Sequence, residues 1–244
     1  YDFVDAYHHF NDPEWDGEPL EPITKTKPKP PMIVKEPPAP YGEEEPKRKK
    51  IKIRLGDGKA REIQYMVQTS FWSVDGKPIS TEEFLQNLFG KLPDFFKNEA
   101  ELRKLWSNPI TRKALLDKLA EAGYGINELK TLQQLINAEN SDIFDVLEYI
   151  SFAIKPISRE ERVAKAQLNI FKSLDNNQKE FLEFVLSKYI ETGIEELDQE
   201  KLPALLKIKY QAINDATRIL GGVDKIRETF ISFQRHLFAK HIEA

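Results

Sequence analysis

The stretch VDKIRETFISFQRHL, residues 223–237, decides how the rest of the chain is read. Its apolar residues Val223, Ile226, Phe230, Phe233 and Leu237 are spaced three, four, three and four apart. At 3.6 residues per turn this spacing lines them up on one side of a helix. Alternating threes and fours is also the spacing of a seam between helices. Phe230, Phe233 and Leu237 therefore have two readings. They pack inside a bundle formed by this chain, or they dock a partner helix.

Working back toward residue 80, the grammar stays helical. Gly221-Gly222 breaks the chain just before the stretch. Pro203 opens a helix that is expected to run toward Leu220. Phe181, Leu182, Val185, Leu186 and Tyr189 form another apolar stripe, and Val163, Ile170, Phe171 and Leu174 share a face before it. Ser158 to Glu161 reads as a cap after Pro156. Residues 127–137 and 141–152 read as two short helices. Asn108-Pro109 supplies an N-cap with proline at the first helical position, and Gly123 ends that helix. Ser80-Thr81-Glu82-Glu83 resembles a capping box.

Before residue 80 the period changes from helical to alternating. Ile51, Ile53 and Leu55 alternate with Lys50, Lys52 and Arg54, which is strand patterning. Gly56-Asp57-Gly58 and Asp75-Gly76 are tight-turn signals. Ile63, Tyr65 and Val67 alternate again toward Phe71 and Trp72. A small antiparallel sheet of two or three strands is expected, with helices over its bare face, because an isolated hairpin is marginal. Further back, ten of the fifteen prolines lie in residues 1–46. They make residues 19–46 a proline-rich, extended linker. Residues 1–18 carry Phe3, Tyr7 and Phe10 at helical spacing and read as the tail of a preceding domain, in a chain cut from a longer protein. The expected fold class is mainly α: a multi-helix bundle over residues 80–244, preceded by a β-hairpin unit over 47–79 and the linker.

The charge is segregated along the chain. Residues 1–46 carry eleven acids and four bases; residues 47–79 carry nine bases and three acids. The whole chain has a net charge of −4. That pattern excludes a nucleic-acid footprint over the whole protein and leaves one local basic block. In it Lys47, Arg48, Lys49, Lys50, Lys52 and Arg54 cluster, and strand alternation puts Lys50, Lys52 and Arg54 on one face. Lysines of this kind either guard a sheet edge against aggregation or touch a nucleic-acid backbone. The acidic Glu43-Glu44-Glu45 upstream is an alternative partner for them.

Motifs for catalysis are missing. There is no phosphate-binding loop of the G-x-x-x-x-G-K-[ST] type; Leu55 to Lys59 reads better as a hairpin turn. No cysteine is present, which excludes disulfides and thiolate metal ligands and fits a reducing cytosol. His8 and His9 are adjacent, and His236 and His241 are five apart, off a common helical face. Asp94, Glu99, Glu101 and Lys104 look loosely like a nuclease set. Such carboxylates normally sit on a central sheet to grip a metal, and these fall on helical sequence. No nucleophile motif is present. No run of apolar residues is long enough to span a bilayer.

Four segments resemble a known family. They are YDFVDAYHHFNDPEWDGEP at 1–19, YGINELKTLQQLINAENSDIFDVLEYISFA at 124–153, ISREERV at 157–163, and LPALLKIKYQAINDATRILGGVDKIRETFISFQRHLF at 202–238. The first is similar to the stretch just after the helicase motor, and the others to the C-terminal domain, of the R (restriction and translocase) subunit of type I restriction-modification enzymes, in the EcoEI-like branch. The resemblance implies a cytoplasmic, multi-subunit DNA-cutting machine. Its nuclease domain and its two motor domains, which use ATP and magnesium, would lie upstream. Residues 1–18 would then be the tail of the motor. No catalytic, cofactor or metal residue is carried over to this stretch, which is expected to be non-catalytic. Its implied partners are the methyltransferase and specificity subunits, and double-stranded DNA through the complex. The implied role is to tether the motor to that core; the alternative is a DNA-backbone contact through residues 47–54.

Overall fold

A computed structural model describes residues 50–64, 71–73 and 75–240. The expected tail at 1–18 and linker at 19–46 lie outside the described residues, as do Lys47, Arg48 and Lys49.

The strand grammar holds where the residues are described; Tyr65 and Val67 lie outside them. β1 (Lys50–Arg54) and β2 (Ala60–Gln64) pair antiparallel, with Lys52 opposite Glu62 and Ile53 opposite Arg61. Asp57 Oδ1 accepts from the Lys59 amide at 3.0 Å, and Gly58 takes the turn's left-handed position at φ 75°. β3 (Phe71–Trp72) and β4 (Pro78–Ile79) form a second short ladder around Gly76, at φ 72°. Among the described residues the strands form two separate two-stranded ladders.

Helices supply the rest. α1 (Thr81–Lys91) starts at Ser80, whose side chain accepts from the Glu83 amide. α2 (Glu99–Trp106) starts at Asn98, and α3 (Pro109–Glu121) at Asn108 with proline at N1. α4 (Ile126–Leu135) leads into α5 (Ile143–Phe152). α6 (Arg159–Ile170) is capped by Ser158, and α7 (Asn176–Thr192) by Asp175 with Gln178 reciprocating. Each such cap satisfies an amide that the helix cannot pair internally, typically contributing about 1 kcal/mol. Two short 3-10 turns, Ile194–Leu197 and Gln199–Lys201, precede α8 (Leu202–Tyr210), α9 (Ile213–Leu220) and α10 (Val223–Leu237).

One expectation fails here: the helix opened by Pro203 does not run to Leu220. It stops at Tyr210, and Gln211 turns the chain at φ 64° before α9 begins. Leu205, Leu206, Ala216 and Leu220 would share roughly a 100° arc on an unbroken helix, so periodicity could not show the break. Folding the segment back lets α8 and α9 pack on each other and both reach α7.

α5 is the hub. Every residue from Ser141 to Glu148 is buried, an unusually complete enclosure; a helix apolar nearly all round belongs at the centre of a domain. It packs against α1, α2 and α4. The hairpins share the helical core through Ile53, Leu55, Ile63 and Phe71. Phe71 stacks on Phe84 of α1 at 4.1 Å. The stronger attachment is polar. Arg61 is fully buried and donates to the carbonyls of Tyr149 and Ile150, both at 2.7 Å. Those carbonyls belong to the last turn of α5, where a cation meets the favourable end of the dipole; the Tyr149 carbonyl also accepts from the Ala153 amide at 3.0 Å. Asp57 in the β1–β2 turn holds the same guanidinium at 2.9 Å. The hairpin thus caps the central helix.

Candidate functional site

The basic strand face is where alternation puts it. Lys50, Lys52 and Arg54 are all exposed, while Ile53 on the opposite face is buried. Lys52 pairs across the ladder with Glu62 at 3.0 Å. A groove of about 460 Å³ runs between β2 and the α4–α5 region, lined among others by Lys50, Glu62, Asn137, Tyr149 and Lys155. Lys52, and more weakly Lys50 and Lys155, hold the Glu62 carboxyl below its ordinary pKa. Glu43 to Glu45 lie outside the described residues.

The last-helix stripe resolves differently. Phe230, Phe233 and Leu237 are 0%, 2% and 0% exposed, and α10 packs against α6 and α9 of the same chain. Phe230 meets Phe233 edge-on at 6.0 Å. The docking reading of these three residues is therefore corrected to core: their seam is filled by the chain's own helices. Val223, at the start of the same stripe, is 59% exposed. It lines an apolar cleft of about 320 Å³ between α8, α9 and α10, with Leu202, Pro203, Leu206, Ile213 and Ile226. Gln199 and Glu200 join this cleft to a second one beside Pro109, Ile110 and Ala114 on α3. Ile110 is 64% exposed. A large apolar side chain left in water next to a groove is the more informative departure from ordinary burial.

Sequence reasoning missed a buried ionic seam along α5. Arg162 of α6 donates to both oxygens of Asp145 at 2.7 Å and lies 3.5 Å from Asp142. Its guanidinium lies 5.1 Å and 5.0 Å from the ring centres of Phe144 and Phe238, which meet each other edge-on. The Tyr189 hydroxyl of α7 donates to Asp142. One turn along α5, Glu148 sits 2.6 Å from Arg103 of α2. Arg103 also holds Glu99 at 3.0 Å and the Phe238 carbonyl at 2.9 Å. Lys240 reaches Glu99 at 3.0 Å. Burial pushes the Asp142 carboxyl up to about 6, with Arg162 opposing. Burial likewise lifts Glu148 to about 7, with Arg103 opposing. Burial works against the charge of Arg162, but Asp145, Tyr189 and Asp142 outweigh it and raise its pKa. A second seam centres on Arg112 of α3, which donates to the Trp106 and Leu197 carbonyls, Gln234 and Asp198. These groups join helices, and Arg103, Asp145, Glu148 and Arg162 also line a pocket of about 260 Å³ with Lys165 and Lys240. The available signal was Asp145 and Glu148 on an otherwise apolar segment, since charges are buried only when paired.

The nuclease-like set is dispersed into local pairs: Asp94 with Lys91, Glu99 with Arg103 and Lys240, and Glu101 with the Lys97 amide. No group of histidine and carboxylate side chains among the described residues could hold a metal ion. His8, His9 and His241 lie outside them. No helix among the described residues is long and apolar enough to cross a membrane.

Comparison with known proteins supplies the family. No curated protein and no solved structure matches the chain. The family model described as EcoEI R protein C-terminal matches residues 82–238, from the start of α1 to just past the end of α10. That span is well over half of the chain and takes in the ionic seam apart from Lys240, the α8–α10 cleft and, but for Thr81, the ten helices among the described residues. The chain belongs to the EcoEI R protein C-terminal family, the C-terminal domain of the R subunit of type I restriction enzymes.

Proposed function

We propose that this chain is a non-catalytic assembly module, which tethers the translocase and endonuclease part of the R subunit to the methyltransferase–specificity core in the cytoplasm. The observation that carries the reading is the apolar cleft between α8, α9 and α10, extended toward Ile110 on α3. Ile213, Val223 and Ile110 are 37%, 59% and 64% exposed, and unlike the equally exposed Leu168 they gather along one cleft and its extension. Rigid helices present them, so docking costs little ordering of the surface. Family membership supports partners within the same complex. ATP and magnesium belong, on this reading, to the upstream motor.

The test is size-exclusion chromatography with light scattering on the chain mixed with the methyltransferase–specificity core. Co-elution is expected for the parent chain and for Leu168→Gln, an exposed position on α6 away from the cleft. Loss of co-elution is expected for Val223→Asp and Ile213→Asp, both still folded by circular dichroism. Retained co-elution in both aspartate variants would move docking away from this cleft.

A further inference from the structure

The exposed face of the β1–β2 hairpin carries a pattern that the docking reading does not use. Lys50, Lys52 and Arg54 stand on one side of β1. Side chains two residues apart on a strand are about 6.6–6.8 Å apart along it. One strand of a duplex presents a phosphate about every 3.4 Å of axis, so cations at strand spacing meet roughly every second phosphate.

The row does not end at the strand. Lys155, in the connection between α5 and α6, is exposed and lines the same groove as Lys50. Electrostatically, Lys52, Lys50 and Lys155 all act on Glu62. That makes them one cluster, although they come from distant parts of the sequence. Among the described residues Lys50, Arg54 and Lys155 have no ion-pair partner, and Glu62 is the only acid lining the groove. Asn137 adds an exposed amide on the far wall, held at φ 57°. The hairpin that bears the row is not loose, because Arg61 bolts it to the end of α5. The cations are thus presented on a rigid support.

We propose that Lys50, Lys52, Arg54 and Lys155 form a sequence-blind track for the backbone of duplex DNA, laid along the hairpin and across the groove beside α5. An extended acidic peptide repeats at about the same interval, so the choice of a duplex rests on charge: every phosphate is ionised, and a duplex backbone releases condensed counterions when it meets these cations. Contacts of this kind carry no base information and depend steeply on salt. Glu62 sits inside the track as an internal brake, since it neutralises Lys52 at 3.0 Å.

The experiment is fluorescence anisotropy of a labelled 30-base-pair duplex titrated with the whole chain at several salt concentrations. Binding with the same affinity for two unrelated sequences is expected. Lys155→Gln should flatten the salt slope by about 1, and the triple variant Lys50→Gln, Lys52→Gln, Arg54→Gln by about 2–3. Glu62→Gln should tighten binding. Lys113→Gln, on α3, should change nothing. The proposal is overturned if the parent chain does not bind duplex at low salt, or if Lys155→Gln and the triple variant keep the parent slope. It is equally overturned if polyglutamate binds and duplex does not, which would make the groove a protein site. Co-elution with the core, measured on the same variants, is expected to persist, so failure of the track leaves the docking reading intact.

Discussion

The α5 region and the α8–α10 corner treat their exceptional residues in opposite ways. Around α5 the exceptions are charged groups taken out of water: Asp142, Asp145, Glu148 and Arg162 are all buried. At the α8–α10 corner the exceptions are apolar groups left in water, Ile213 and Val223 among them. The first region is closed in the sense that each of these charges faces an opposite charge. The second is open, because nothing among the described residues covers it. Buried charges need not mark the working surface of a protein. Here they lock the core in register, while the unused surface lies where burial stopped short.

The largest expected effect tests the closed region. Arg162→Ala leaves Asp142 and Asp145 in the core without their cation. Removing one member of a buried pair costs about 3–5 kcal/mol, to be read as a lowered urea midpoint with an unchanged slope. A midpoint within experimental error of the parent would mean that the seam is not structural. Phe230→Ala belongs to the same class and is expected to cost about 3–5 kcal/mol. A loss of partner binding from this variant without loss of stability would restore Phe230 to a docking role.

Next in size is a dependence on pH. Glu148 is pushed up to about 7 from an ordinary 4.5. Between those values the folded protein keeps a proton that the unfolded chain has released. Stability from this group is therefore lost as pH rises from about 4.5 and is fully lost above about 7, by roughly 3 kcal/mol as an upper bound. Glu148→Gln removes that loss and can still accept from Arg103. Its advantage over the parent should be small at pH 4.5 and greatest at pH 8, measured by urea titration at both. An equal difference at both values would assign the effect to packing. Asp142, lifted to about 6, leaves a smaller residual slope in the variant, complete by that pH.

The smallest expected effects test the open region. Ser158→Ala, a cap on the closed side, should cost about 1 kcal/mol. Val223→Asp should change stability by less than about 0.5 kcal/mol, as exposed substitutions do, while abolishing association with the core. A large loss of stability from Val223→Asp would mean that the corner is less open than its geometry and would erase the contrast between the two regions.

Much of this was legible in the chain before folding. Ser80, Asn108 and Ser158 announce helix starts because a short polar side chain satisfies the orphan amides next to it in sequence. The Gly56-Asp57-Gly58 turn and the alternation from Lys50 to Leu55 announce β1 for equally local reasons. The stripe Phe181, Leu182, Val185, Leu186 and Tyr189 is buried in full. Less legible were Phe230, Phe233 and Leu237, because a stripe suited to a partner helix and a stripe suited to a neighbour in the same chain have the same period. The break at Gln211 has no glycine or proline to announce it. Arg61, Arg112 and Arg162 look like surface residues until their partners, up to 122 residues away, arrive.

The sequence by itself determined the helical class, the hairpin, most helix boundaries, the basic face and the family, because capping, turn formation and side-chain alternation act over a few residues. Only the tertiary structure decided which stripe was closed and which stayed open, which charges went inside, and that Lys155 joins Lys50 in one groove. Those outcomes depend on which surfaces meet across the fold. Desolvation and pairing are set by that meeting, and no local window of residues contains it.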